Sequence, residues 1–342
     1  MTTATTWTTN ATAADIVERL RTAQRIAVLT HAKPDGDALG STLAVTRAMR
    51  LAGMQATPLY IGPWPSRFDP LLGDTHVVHE HHGCWNEPPM SDADCILITD
   101  TGSWNQIADA RTSVEGRAAD TIIIDHHRHG DAEIADRRLI DTHAAAACEI
   151  VADVCCLLLG VSSPSQLPLA VAEPLYLGIA TDTGWFRYSN LRPQTLRLAA
   201  DLLDAGVDAD RLFQISDQND PPARLELMRT ALASLELHDN ARVAVMVLTQ
   251  ADFEAAGASL DEASGIIDMP KSVGAVRVVA LLTEVDGTLS KVSLRSKAGD
   301  DPVDVNLIAQ QFGGGGHKHA AGARIKAPID DARRQITQAL LG

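Results

Sequence analysis

The chain has 342 residues, 45% hydrophobic and 21% charged, the balance of an ordinary globular protein long enough for two cores. Its formal net charge of −15 argues against a protein that grips long nucleic acid by its phosphates, because such binders present basic surfaces. A small phosphorylated ligand stays open, since bound metal ions would then be the largest local charges.

Met1 to Trp7 carry neither a basic leader nor an apolar stretch, so no signal peptide is expected, and no apolar run approaches membrane-spanning length. The five cysteines are odd in number and scattered, with Cys155 and Cys156 adjacent in a helical pattern. They read as thiols of a reducing cytoplasm rather than a disulfide frame.

Residues 1–14 read as a mobile tail, followed by a helix from Asp15 to Ala23 and a strand from Ile26 to Thr30. Directly after it stands His31-Ala-Lys-Pro-Asp35-Gly-Asp37-Ala-Leu-Gly-Ser41, then a helical pattern from Thr42 to Leu51. One imidazole and two carboxylates in a tight turn at the C-terminal end of a strand suit a divalent-metal half-site. Taken alone, Pro-Asp-Gly is equally ordinary turn chemistry.

Thr57–Ile61 reads as a strand. The irregular stretch from Pro63 to Asp94 holds His76, His79, His81, His82 and Cys84. Their spacing fits no closed tetrahedral zinc site, so an exposed loop is expected. Two continuous apolar runs end in aspartates, Cys95-Ile-Leu-Ile-Thr-Asp100 and Thr121-Ile-Ile-Ile-Asp125. They read as parallel strands buried on both faces, and helical patterns between strands imply right-handed βαβ units. His126 and His127 follow Asp125 directly.

Helices are expected over 144–159 and 170–179, the second running into Ala180-Thr-Asp182-Thr-Gly-Trp-Phe-Arg187, where Asp182 is expected in a turn resembling Asp100-Thr-Gly-Ser. Cys148 reads as a helical core cysteine. Helices over 193–205, 208–216 and 222–237 form a connection, with the boundary near Asp217-Gln-Asn-Asp-Pro-Pro222. Strands are then expected over 242–249, 276–285 and 289–296, with Asp286-Gly287 as a hairpin turn. A helix over 304–312, the run Gly313–Gly316 with His317, a strand over 323–327 and a helix over 330–341 complete the chain. The domains are thus 15–205, a helical linker 206–238 and a smaller domain 239–342.

Asp100, Asp125, His126 and His127 fall on the same rim as His31, Asp35 and Asp37. Crowded carboxylates repel and desolvate badly, so something positive is expected among them. A set of helix N-caps would account for the aspartates but not for the histidines. Carboxylates with imidazoles suit Mn2+, with Mg2+ or Co2+ as alternatives. Two such ions about 3.5–4 Å apart can clamp the attacking and leaving oxygens of a phosphoryl displacement.

In the second domain Lys291, Ser293, Arg295 and Lys297 alternate onto one strand face. Gly314, Gly315 and Gly316 can form an anion nest, with His317 as an added donor and Lys318 and His319 as weaker ones. Five Lys/Arg against three Asp between Lys291 and Arg324 describe a local grip for a few phosphates.

Taken in order, the His31–Ser41 stretch, Asp100-Thr-Gly, Asp125-His-His and Thr181-Asp-Thr-Gly-Trp-Phe-Arg187 resemble the DHH phosphoesterase superfamily. Gly313-Gly-Gly-Gly-His317 with Ala320-Ala-Gly322 resembles its DHHA1 domain. The likeness runs from about Asp15 to the end and is most similar to the oligoribonuclease/pAp phosphatase branch. It implies an α/β fold, with a doubly wound, mainly parallel sheet plus a smaller α+β mixed-sheet domain. It implies hydrolysis of short oligoribonucleotides and pAp by two-metal hydroxide attack, with a cyclic or linear dinucleotide phosphodiesterase as the alternative. Under the resemblance His31 and Asp35 bind one manganese, Asp37, His126 and Asp182 the other, and Asp100 bridges them. Asp125 then orients an imidazole, His127 faces the substrate phosphate, and Arg295 and Ser296 contact substrate; a homodimer is a family expectation. The family usually carries Ser/Thr where this chain has Ala144–Ala147, a departure that bears on substrate preference.

Overall fold

The computed structural model describes residues 6–62, 64–79, 88–299 and 302–342. They divide into two compact units, Met1–Asn219 and Asp220–Gly342. The first runs α1 (Ala13–Thr22), β1 (Ile26–Leu29), α2 (Gly36–Leu51), β2 (Ala56–Tyr60), α3 (Asp69–Leu72), β3 (Val78–His79), β4 (Cys95–Thr99), α4 (Arg111–Val114), β5 (Thr121–Asp125) and β6 (Arg137–Ile140). Four helices follow, α5 (Ala147–Leu159), α6 (Leu169–Asp182), α7 (Pro193–Asp204) and α8 (Ala209–Asp217).

A strand built on a continuous apolar run is stable only where both its faces are covered, and β1, β4 and β5 are buried at every residue. They form the middle of a parallel sheet of order β3-β2-β1-β4-β5-β6. Leu39, Leu43, Val154 and Leu175 pack on one face, and Ile96, Ile98, Ile107 and Ile123 fill the core on the other. From β1 the chain moves outward through β2 and β3, then returns to the other side of β1 as β4. Ligands of such doubly wound sheets bind at that switch point, and the segments after β1 and β4 carry His31 and Asp100.

Three local features differ from the sequence reading. Helix α2 begins at Gly36 rather than Thr42, because Asp35 caps it: Asp35 Oδ1 accepts the amides of Asp37 and Ala38, each at 3.1 Å. Asp37 therefore sits in the first helical turn. Strand β6 lacks a continuous apolar run, since Arg137 and Leu139 lie on its more open face. Thr9, Asn10 and Ala11 of the expected tail are tied to that strand, with Asn10 donating its amide to Arg138 O at 2.9 Å and accepting the Arg138 amide on Oδ1 at 2.7 Å. His81, His82, Cys84 and the side chain of His79 lie outside the described residues.

The second unit runs α9 (Pro222–Ala233), β7 (Glu236–His238), β8 (Val243–Leu248), α10 (Gln250–Ala256), β9 (Val278–Asp286), β10 (Leu289–Ser296), α11 (Val305–Gln310), β11 (Gly315–His317), β12 (Ala320–Ile325) and α12 (Ile329–Leu341). Its sheet is mixed, of order β11-β12-β10-β9-β8-β7, with β8 and β9 parallel and the other pairs antiparallel. The helix expected to reach residue 237 stops at Ala233. There the Ser234 hydroxyl accepts the Val247 amide and donates to the Val247 carbonyl, each at 2.9 Å, and turns the chain into β7. Part of the glycine run is strand, because Gly315–His317 pair with β12 at the sheet edge. Among the described residues no helix is long and apolar enough to cross a membrane.

Candidate metal centre

Ends of separate elements deliver the acidic and imidazole side chains of the first unit. His31 follows β1, Asp35 and Asp37 open α2, and Asp100 follows β4. Asp125 closes β5 with His126 and His127 behind it, and Asp182 is the last residue of α6. The turn expected around Asp182 is thus a helix end, where the Thr183 hydroxyl donates back to Ile179 O at 2.7 Å.

Asp100 stands in the middle. Its backbone adopts φ +61°, the left-handed region that Asp tolerates better than most residues. Asp100 Oδ2 lies 3.4 Å from His31 Nε2, and Oδ1 lies 3.4 Å from His126 Nε2. His31 Nε2 is also 3.9 Å from Asp35 Oδ1. His126 Nε2 is 3.8 Å from both Asp37 Oδ2 and Asp182 Oδ2. Three overlapping groups have ligand atoms close enough for one ion: His31, Asp35 and Asp100; Asp37, His126 and Asp182; and Asp100, His126 and His127.

The remaining donors fix orientation. Asp125 Oδ1 accepts the amides of His126 and His127 and meets His127 Nδ1 at 2.8 Å. His127 is the most exposed of the three imidazoles at 54%, against 13% for His31 and 14% for His126. The two oxygens of Asp37 accept the amides of Ala147 at 2.6 Å and Cys148 at 3.0 Å. Buried Cys148 lines this contact, its Sγ 3.7 Å from Asp37 O. Helix α6 approaches so closely that a Cβ on Gly178 would stand 2.3 Å from Cys148 Sγ and 2.8 Å from Asp37 Oδ1.

The electrostatics describe buried carboxylates crowded around two imidazoles. Burial, and then repulsion from Asp100 and Asp182, pushes the Asp37 carboxyl well up. Burial also lifts Asp182, to about 6. Burial opposes protonation of His31 and His126, but their carboxylate neighbours, Asp100 foremost, override it and raise them to about 9 and about 10. The same two imidazoles outweigh the burial of Asp100 and hold it down at about 2. Asp100 Oδ1 and Asp125 Oδ2 are buried without a hydrogen-bond partner among the described residues. An oxygen-and-imidazole donor set with an orphaned buried carboxylate oxygen at its centre fits divalent cations.

Trp7 escaped the sequence reading. Its indole Nε1 donates to His127 O at 2.9 Å, and its ring fills the space where a Cβ on Gly102 or Gly130 would stand 1.8 or 2.6 Å away. It thereby clamps the loops that follow Asp100 and His127. No local pattern announces a bond spanning 120 positions.

In the second unit, Arg295 lies on the less buried face of β10 with Lys291 and Ser293, and His317 is exposed on β11. Ser296 faces the other way and is 3% exposed. Its hydroxyl donates to Val303 O at 2.7 Å and meets His319 Nδ1 at 2.9 Å, so it is occupied inside the fold rather than offered to a substrate.

Residues 25–179 match the N-terminal domain of the DHH family, and residues 240–341 match the DHHA1 domain. The bifunctional oligoribonuclease and PAP phosphatase NrnA of Thermus thermophilus is 32% identical over 92% of this chain and 89% of its own length. The protein of the same name from Bacillus subtilis is 26% identical over 86% and 87%. An exopolyphosphatase-related protein of Bacteroides fragilis shares the fold with a TM-score of 0.87, at 23% identity over 96% of this chain and 95% of that one. The chain belongs to the DHH/DHHA1 phosphoesterase family and is a hydrolase of phosphoester bonds.

Proposed function

We propose that the protein hydrolyses very short oligoribonucleotides to mononucleotides and removes the 3′-phosphate of pAp, using two divalent ions, manganese by preference. The relation of Asp100 to its two neighbours carries this reading: one carboxylate oxygen faces His31 and the other faces His126. His31 and Asp35 hold one ion, Asp37, His126 and Asp182 hold the second, and Asp100 serves both. Bound there, the ions supply the positive charge against which a phosphoryl group in displacement is stabilised.

The chain's own residues do the rest. Asp125 fixes the tautomer and direction of the His127 ring. Its hydrogen bond raises the His127 pKa, so the exposed imidazole favours its cationic form and suits a substrate phosphate. Arg295, the glycine segment Gly314–Gly316 and His317 of the second unit are the proposed phosphate contacts. Relatives named for oligoribonuclease and PAP phosphatase activity favour these substrates over a cyclic dinucleotide. Net charge of −15 favours a short ligand over a long strand.

The test is a substrate panel with Mn2+: pApA, pAp, a cyclic dinucleotide, pyrophosphate and a long oligoribonucleotide. Turnover of pApA and pAp well above the others is expected. Equal or faster cleavage of the long strand would overturn the short-substrate reading, and a preference for the cyclic dinucleotide would overturn the choice of substrate.

A further inference from the structure

Half of the cluster is aimed by main-chain groups of one short segment. His126 Nδ1 lies 3.2 Å from Ala144 O. The amides of Ala147 and Cys148 donate to the two oxygens of Asp37. The Asn190 amide nitrogen donates to Ala145 O at 3.0 Å and to Asp182 O at 3.1 Å. Residues 144–148 thus reach Asp37 and His126 directly and Asp182 through one side chain. Those three residues are also one of the ligand groups. His31 and Asp35 receive no hydrogen bond from the segment among the described residues.

The segment is held in turn. Glu149 Oε2 accepts the Ala145 amide at 3.2 Å and Arg192 Nη2 at 2.6 Å, and the Glu149 side chain is only 9% exposed. Ala146, at the N-cap of α5, has no side-chain oxygen for the helix's free amides, and Asp37 takes that place. Asn190 joins the last turn of α6, where carbonyls lack intrahelical partners, to the start of α5. None of these contacts uses a side chain of Ala144–Ala147. Residues 144–147 therefore act on the cluster through backbone groups alone.

We propose that Asn190, together with the Glu149–Arg192 pair, is a positioning element for one ion site only, that of Asp37, His126 and Asp182. The proposal rests on the two-ion reading above. It assigns no role to these residues at the His31–Asp35 site, although both sites share Asp100.

Calorimetric titration of the metal-free full chain with Mn2+ tests it without reference to turnover. Wild type is expected to bind two ions. Asn190→Ala is expected to weaken one of them roughly 10–100-fold, the range for losing an orienting partner, and to leave the other unchanged. Asn190→Asp keeps the shape but loses the donors, and is expected to do no better. Arg192→Lys, a milder change that gives up the planar fork, is expected to shift the same ion in the same direction. Glu149→Gln keeps an acceptor for Ala145 and is expected to retain most of the affinity that Glu149→Ala loses. Equal weakening of both ions, or of neither, in folded variants would overturn the positioning role alone. A wild-type chain that binds fewer than two ions would overturn the two-ion reading itself.

Discussion

The Ala147 amide donates to Asp37 Oδ2 at 2.6 Å, so one carboxylate both caps α5 and belongs to the ligand cluster. Asp37→Ala leaves the amides of Ala147 and Cys148 buried and unpaired. We expect the metal-free variant to lose about 1–3 kcal/mol of stability, read as a lower urea midpoint, along with its activity. An unchanged midpoint would contradict the capping role.

Asp182 should behave in the opposite sense. Burial lifts its carboxyl from 3.8 to about 6, so folding favours the protonated form. That contribution to stability is complete below the unfolded value and is lost as pH rises through about 6. Asp182→Asn removes the loss. The metal-free variant should therefore be more stable than wild type near neutrality, by about 0.5–2 kcal/mol, with the difference fading in acid, while hydrolysis disappears. Thermal unfolding in chelator at both pH values measures this, and a variant less stable than wild type at neutrality would contradict it.

His31 and His126, raised to about 9 and about 10, are cationic at neutral pH without metal. Metal ligation requires the neutral imidazole, so ions displace these protons. Binding of Mn2+ near neutrality should release about two protons per chain from this pair, and affinity should rise with pH until the two imidazoles have titrated. Calorimetry in two buffers of different ionisation enthalpy counts the protons. Release of none would show that the imidazoles are neutral or uninvolved.

Trp7 and Gly102 form a coupled pair. A Cβ on Gly102 would meet the indole at 1.8 Å, so Gly102→Ala must expel the ring or shift the loop after Asp100. We expect each single change to reduce turnover and Gly102→Ala to add little once Trp7→Ala is present. The interaction energy in the double-mutant cycle should lie in the range of about 0.5–3 kcal/mol. Strict additivity would deny the contact.

The site was legible where chemistry resides in residue type and strand ends: two apolar runs ending in aspartates pointed to one rim. Position within an element was harder to read. Asp37 and Asp182 looked like turn residues, but both are helical because Asp35 caps α2 and α6 continues past Ile179. Asn190 and Trp7 were hidden because they act through backbone carbonyls far away in sequence, which leave no trace in local pattern. The glycine run carries no strand signal in its composition, and only its pairing with β12 makes part of it a strand. Ser296 misled for a simpler reason: adjacent strand residues face opposite ways, so it could not share the face of Arg295.

The shared role of Asp100 is the central claim, and metal stoichiometry tests it most directly. Metal-free wild type and Asp100→Ala would be titrated with Mn2+ and assayed on pApA and pAp at saturating metal. We predict two ions per chain for wild type, with impaired binding of both ions and loss of both activities in the variant. Two tightly held ions with substantial turnover in Asp100→Ala would contradict the account.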